Sequence, residues 1–211
     1  PANGPVNTKI VGAESPEIMA QCQRVKEFMN YQITEVMEEY DPDMDSLLFY
    51  LPLAGSAFKK VFFDSLLGRA TSAFVKAEDL VVSYDTTNLE TSPRISHILN
   101  MTGNDIRKMQ LNGIYRDIEI GSPGEVVLDD AKDKMDELQG LSKPTSDYTE
   151  YTLLEIHVNL ELDGIDEYEY AVPYIVTILE DSGEILSIRR NWQQGDELFR
   201  KKEYFVHYKF L

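Results

Sequence analysis

Three histidines and one cysteine are the side chains of this chain best suited to acting as a base, a metal ligand or a nucleophile. His97, His157 and His207 all fall in strand-like segments without the neighbouring acidic or cysteine spacing that is typical of metal sites. Cys22 falls on the apolar side of a helical pattern, which favours a buried, inert thiol. These patterns predict four structural residues, with no catalytic, cofactor-binding or metal-binding role.

Acidic residues at alternate positions suggest a calcium loop between residues 41 and 52. Asp41, Asp43 and Asp45 have the required spacing. Such a loop also needs Gly at its sixth position and Glu at its twelfth, and here these are Ser46 and Pro52. The calcium interpretation therefore fails. We expect a turn leading into a helix that Asp45 or Ser46 caps.

The remaining motifs that would indicate an enzyme are missing from the sequence. Residues 55–60 read Gly-Ser-Ala-Phe-Lys-Lys, which lacks the GxxxxGK[ST] spacing of a phosphate loop and leads into a strand. There is no GxSxG, HExxH or GxGxxG. A hydrolase using a carboxylate pair stays open as a third interpretation, but so acidic a chain has such pairs by composition alone. We therefore expect no enzyme.

The charge balance is strongly acidic, with 37 Asp and Glu against 20 Lys and Arg and a formal net charge of −17. DNA-binding surfaces neutralise phosphates with clustered Lys and Arg, so this balance argues against general DNA binding. No Lys or Arg occurs from residue 144 to residue 188. That stretch is interpreted either as a solvated acidic face or as a surface that repels DNA or meets a basic partner.

Length and composition predict a folded piece of a longer protein. The 211 residues suffice for a sizeable core, a single cysteine excludes an internal disulfide framework, and no run approaches the roughly 20 apolar residues of a membrane span. Residues 202–211 are aromatic and apolar, whereas natural termini are usually polar. We therefore expect the chain to be truncated.

Helical patterns dominate the first 55 residues. Ser15 and Pro16 form a helix start, and an apolar stripe then continues to about residue 40, which predicts one long helix. The stripe consists of Ile18, Cys22, Val25, Met29, Ile33, Val36 and Tyr40. Residues 46–55 are apolar nearly all round and predict a short buried helix that ends at Gly55.

Strand patterns dominate the rest, so the fold class is predicted to be α+β, with the two helices on a mainly antiparallel sheet. Thr102 is predicted to cap a short helix, and residues 151–160 alternate with one apolar face formed by Thr152, Leu154, Ile156, Val158 and Leu160. The strands are predicted at 57–63, 69–75, 80–84, 94–101, 151–160, 168–179, 185–192 and 203–211. The last two are expected to complete the sheet after a tight turn at residues 181–184.

The expected organisation is an N-terminal helical layer, residues 1–55, and a β-rich domain, residues 56–211, together forming one compact unit. Residues 121–147 begin with Gly-Ser-Pro-Gly and are predicted to be a variable insertion.

Strings across nearly the whole chain resemble the portal proteins of tailed bacteriophages, of the podophage type. Residues 55–61, following a helix and starting a strand, resemble the helix-to-sheet junction of these proteins. The other matching strings are residues 29–33, 41–52, 74–82, 151–157 and 204–210. Residues 121–147 and 164–170 match poorly, in agreement with their interpretation as variable loops.

The resemblance implies a structural, non-enzymatic role in the wing region of a portal, the head-tail connector through which DNA is packaged and ejected. It implies other portal subunits as partners, typically in a dodecameric ring, and capsid, terminase and tail adaptor proteins through the parent protein. It also implies a virion location after synthesis in the bacterial cytoplasm, with no cofactor, no membrane and no sequence-specific nucleic-acid binding. The alternative is an acidic α+β interaction module of a cellular protein, recruited through the exposed stripe of the first helix.

Overall fold

The computed structural model describes residues 4–121, 150–164, 168 and 170–210. The predicted insertion at 121–147 therefore lies outside the described residues except for Gly121, and the predicted loop at 164–170 is described only in part. Contacts divide the chain into a first unit, Pro1–Ala77 with Tyr204–Leu211, and a second unit, Glu78–Glu203.

The elements confirm the α+β class, since every strand pair is antiparallel. Among the described residues, the helices are α1 (Pro16–Tyr31), α2 (Tyr40–Ala54) and α3 (Gly103–Leu111), with a π-helical turn at Gln32–Val36 and a 3-10 turn at Ala77–Asp79. The strands are β1 (Ser56–Asp64), β2 (Arg69–Lys76), β3 (Leu80–Val82), β4 (Arg94–Thr102), β5 (Glu150–Leu160), β6 (Val172–Leu179), β7 (Ile185–Arg190) and β8 (Phe205–Lys209). They form two sheets, β2-β1-β8 and β3-β4-β5-β6-β7.

Helix α1 starts as predicted but is shorter. The Ser15 hydroxyl accepts the Ile18 N–H (3.2 Å). The expected continuation to residue 40 is wrong, because regular α-helix ends at residue 31 and the π-helical turn ends at residue 36. The β-branched Ile33, Thr34 and Val36 disfavour helix there, and the Thr34 hydroxyl donates to the Asn30 carbonyl (2.9 Å).

Helix α2 begins earlier than predicted. Residues 41–45 lie inside its first turns rather than in a turn before it, so Asp45 and Ser46 are not its caps. Pro42 is tolerated because the first helical turn has no intrahelical partner for its missing N–H. Asp41 and Asp43 are favourable at this positive end of the helix dipole.

Helix α2 packs on one side only, which corrects the prediction of a helix buried all round. Leu47 and Tyr50 are buried against Ala57 of β1. Leu48 and Phe49 remain exposed. A helix on one face of a sheet buries only the stripe that faces the sheet, whatever the hydrophobicity of its other side.

Side chains before and within α2 also occupy the free edge of β2. Strand edges carry unpaired N–H groups that promote unwanted pairing. Here Glu39 accepts the Ser72 N–H (3.3 Å), Asp43 accepts the Phe74 N–H (2.7 Å), and the Tyr50 hydroxyl accepts the Ala77 N–H (3.3 Å), just beyond the end of β2. This edge is therefore bound by the chain's own carboxylates and a tyrosine.

The second unit is built on the five-stranded sheet. As predicted, Thr102 caps α3 by accepting the Asp105 N–H (3.2 Å), and β6 turns tightly into β7. One of its core clusters consists of Ile106, Leu153, Leu179 and Leu186.

Strand β8 does not complete that sheet, which corrects the prediction. It pairs with β1, in the register Ser56↔Lys209 to Lys60↔Phe205. The observed division of the chain thus falls at residue 77, not at residue 55, because α2 packs on β1 and β2 and β8 returns to β1. Two compact units are observed where one was expected.

Candidate functional site

A row of buried polar side chains crosses the five-stranded sheet. His97 of β4 is opposite Glu155 of β5, Glu155 is opposite Thr177 of β6, and Thr177 is opposite Ser187 of β7. Directly opposite residues share a face of the sheet. All four, which we call the polar row, are buried.

Glu155 connects the polar row to a second histidine. His157 lies two residues further along β5, on the same face, and its Nε2 is 2.8 Å from Glu155 Oε1. Arg189 places its Nη2 3.5 Å from the other carboxylate oxygen. The face of β5 predicted to be apolar, with Leu154 and Ile156, is only half-buried, whereas the face with Glu155 and His157 is buried. The apolar face of the alternating pattern is therefore not the buried face of the strand.

The polar row is in a region of low polarity. Burial raises the pKa of Tyr115 to about 12, and the nearby Glu155 carboxylate adds to this effect. Thr177 Oγ1 and Ser187 Oγ are buried without a hydrogen-bond partner in the described part of the chain. Buried hydroxyls are usually paired, so the row retains unused hydrogen-bonding capacity.

A cleft of about 470 Å³ lies at the end of this sheet face, next to His157. Its other lining residues include Ser92, Asn191, Phe199 and Lys201. The cleft thus combines polar and aromatic walls, and it is formed by the second unit alone. Clefts of this size with a few converging polar groups are the usual form of a ligand site.

The remaining predicted structural residues lie in the first unit. Cys22 is half-buried, not fully buried, and its thiol is 3.1 Å from Thr8 Oγ1. His207 of β8 is exposed, stacks on Phe58 at 4.5 Å between ring centroids, and has Nε2 2.7 Å from Ser56 Oγ. Partial burial, followed by the Lys209 charge, lowers the pKa of His207.

The first unit also buries a cation that sequence reasoning missed. Lys59 of β1 is at most 2 % exposed. Its Nζ lies 4.2 Å from the centre of the Tyr40 ring and 3.4 Å from the Tyr40 carbonyl oxygen. Burial lowers the pKa of Lys59, while Asp43, Glu39 and Asp41 act in the opposite direction. The contact between the Lys59 ammonium and the Tyr40 ring stabilises the charged form by cation–π attraction.

Apolar side chains are exposed along both helices of the first unit. In α1 they are Ile18, Met19, Val25, Phe28, Met29 and Tyr31, and in α2 they are Leu48, Phe49 and Leu53. We call these nine residues the apolar helix surface. Helix α1 buries none of its residues, although its stripe was predicted to be a packing face.

Neither a metal cluster nor a membrane helix is present in the described ranges. No three His, Cys, Asp or Glu side chains there are grouped to hold an ion. Within the same part of the chain, no helix has the length and apolar character needed to cross a bilayer.

The sequence analysis named His157 but did not predict that it lies beside Glu155 and lines a cleft. The i, i+2 spacing of Glu155 and His157 on a strand does signal a shared face, so this pair was detectable. Asn191 carried no such signal, because its position beside Pro173 and next to the cleft depends on strand pairing.

Comparisons with known protein families and with curated proteins find no significant match to this chain.

Proposed function

We propose that this chain is the wing part of a structural, non-enzymatic subunit of a tailed-phage portal ring. The resemblance of its strings to podophage-type portals supports this function. The observation that carries it is the apolar helix surface, since several of its residues fall in strings that carry the resemblance.

These residues are too exposed to serve the fold of the first unit. Phe28 is 62 % exposed and Phe49 is 60 % exposed. Exposed apolar side chains recur along each of the two helices, and apolar patches on a folded protein generally mark an interaction site. Met29 and Tyr31 lie in the matching string 29–33, and Leu48 and Phe49 lie in the matching string 41–52. A ring subunit needs such surfaces for its neighbours.

The charge of the chain agrees with this role. DNA passing through a portal must slide without being held, and a net charge of −17 favours repulsion over binding. The proposed partners are other copies of the subunit, and the capsid, terminase and tail adaptor proteins through the parent protein. The proposed location is the virion.

Electron microscopy of the complete product of the gene, under conditions of assembly, tests the proposal. We expect closed rings with a central channel. The double variant Phe28→Glu and Phe49→Glu should lower the fraction of subunits in rings, because it places charges in the apolar helix surface. The control is Val11→Glu, at a residue that is exposed outside the helices.

A product that forms no ring under any assembly condition overturns the proposal. The alternative function, an acidic interaction module of a cellular protein, would use the same apolar helix surface. It predicts a monomer in the microscope that loses binding to a heterologous partner in the Phe28→Glu and Phe49→Glu variant.

A further inference from the structure

The cleft of the second unit contains a buried carboxamide with nothing to bind. Asn191 is 1 % exposed, and neither Nδ2 nor Oδ1 has a hydrogen-bond partner in the described part of the chain. Its backbone is fully used, since its N–H donates to the Pro173 carbonyl (2.9 Å) and its carbonyl accepts the Lys202 N–H (3.0 Å). The main chain therefore fixes the side chain at the wall of the cleft.

Leaving a buried amide unpaired is costly, at roughly 1–3 kcal/mol for each such group. An apolar residue at this place would avoid that cost. The orphaned donor and acceptor of Asn191 therefore point to a ligand that supplies one acceptor and one donor side by side.

Two features shape the rest of the cleft. Its rim is pinned by Lys201, whose Nζ donates to the carbonyls of Leu89 (3.1 Å) and Glu90 (3.0 Å). Its aromatic wall is formed by Phe199 and Tyr170, with ring centroids 6.2 Å apart. Phe199 has a φ of 48°, a conformation that a non-glycine residue rarely adopts. Such strain is often retained at binding sites.

The charges near the cleft disfavour a phosphate-bearing ligand. The Lys201 ammonium is occupied by the two carbonyls and lies 3.7 Å from Glu203. Arg200 pairs with Asp196 (3.3 Å). With these cations paired and a net charge of −17, the cleft disfavours a ligand that is negatively charged at the point of contact.

We propose that this cleft binds an extended peptide segment of another protein. In an extended residue the N–H and C=O point to the same side, so both can pair with one carboxamide, the N–H with Oδ1 and the C=O with Nδ2 of Asn191. The apolar side chain of that same residue packs on Phe199 and Tyr170. This inference is independent of the proposed ring function.

A short capped peptide tests the proposal. The probe is acetyl-Gly-Leu-Gly-amide, and the matched control is the same peptide with an N-methylated leucine, which lacks the donor. Titration of the protein labelled with 15N follows the side-chain amide signals of Asn191. We expect saturable, weak binding of the probe and at least tenfold weaker binding of the methylated peptide.

Substitution separates binding from folding. Asn191→Leu should weaken binding of the probe at least tenfold. The melting temperature of the protein should stay unchanged or rise, since the substitution removes an unpaired polar group. The control Asn100→Leu, at an exposed position of β4, should bind as the parent does. The methylated peptide tests the contact in the unaltered protein, so the result does not depend on how the variant folds.

Three results overturn the proposal. One is equal affinity for the two peptides. Another is binding of adenosine that displaces the probe, because adenine also presents a donor beside an acceptor to an Asn side chain. The third is the absence of any saturable change in the side-chain amide signals of Asn191, which would mean that only water occupies the cleft.

Discussion

The helices of the first unit and the sheet of the second place their polar and apolar groups in opposite ways. The first unit leaves nine large apolar side chains exposed along α1 and α2. The second buries His97, Glu155, Thr177 and Ser187 in one row and the carboxamide of Asn191 at the cleft. Each arrangement has a cost in folding free energy, in agreement with the binding roles proposed for the two units.

The strand number of each sheet accounts for part of this difference. A three-stranded sheet with one packed helix has little area to cover, so the other sides of α1 and α2 face solvent. In the five-stranded sheet, β5 lies between β4 and β6, and its Glu155 and His157 are buried although they are polar. The proposed subunit contacts thus use the helices of the first unit, and the proposed peptide-binding cleft lies at the sheet of the second.

The largest effect should come from the core of each unit. Leu47→Ala and Ile106→Ala each remove a side chain that is fully buried, and each should lower the free energy of unfolding of its own unit by about 2–5 kcal/mol. Hydrogen exchange with mass spectrometry reports which strands lose protection. We expect β1 and β2 to lose protection in the Leu47→Ala variant, and β4 to β6 to lose protection in the Ile106→Ala variant.

The exposed neighbour Leu48 provides the control for Leu47. Leu48→Ala should change the stability of the first unit by less than about 0.5 kcal/mol. Equal effects of the two substitutions would contradict the one-sided packing of α2.

The buried Glu155 carboxylate of the second unit should show the next largest effect. Glu155→Gln removes the charge that lies beside the buried His157 and the exposed Arg189 and should cost about 1.5–3 kcal/mol, because it disturbs a buried hydrogen bond to a charged group. Trp192, the single tryptophan, lies in the second unit and reports urea unfolding by fluorescence.

The matched control is Arg107→Gln, which breaks the exposed pair with Asp117. It should leave the unfolding curve almost unchanged, since exposed pairs contribute little. A Glu155→Gln variant as stable as the parent would show that the polar row is not a tightly packed interior.

Removing the helix caps of the two units should show a smaller difference in stability. Thr102→Ala should cost the second unit about 1 kcal/mol, because α3 carries the buried Ile106 and cannot fray without exposing the core. Ser15→Ala removes the same kind of cap from α1, which buries nothing. We expect only the local helix content of α1 to fall, as measured by amide hydrogen exchange within α1. Loss of global stability in the Ser15 variant would mean that α1 is packed after all.

The smallest effect is a pH dependence specific to the first unit. Burial lowers the pKa of Lys59 from 10.5, so the folded chain releases this proton at a lower pH than the unfolded chain does. Between the two pKa values the unfolded state binds more protons, and stability rises with pH. Urea unfolding from pH 7 to pH 10 should therefore show an increase that Lys59→Met abolishes.

The upper limit of pH 10 keeps the measurement below the range in which ionisation of a tyrosine changes stability in the opposite direction. Burial raises the pKa of Tyr208 above 10.0, which makes stability fall as pH rises further. An identical slope in the parent and in Lys59→Met would show that Lys59 is not the source.

The signals that predicted elements correctly are those made of neighbouring residues. Ser15 with Pro16, Thr102 with Asp105, and Gly55 at a φ of 74° mark helix ends because a cap acts within three or four residues. The site was harder to predict. The His157 and Glu155 spacing was visible on the strand, but the depth of their burial was not, since it depends on β4 and β6.

The sequence by itself determined which segments are helix and which are strand, because propensity, alternation and capping are local properties of the chain. Only the tertiary structure decided that β8 returns to β1, that a polar row lies inside the second unit, and that Asn191 has no partner. Each of these depends on contacts between residues far apart in the chain, and a one-residue change of strand register would move every side chain to the other face.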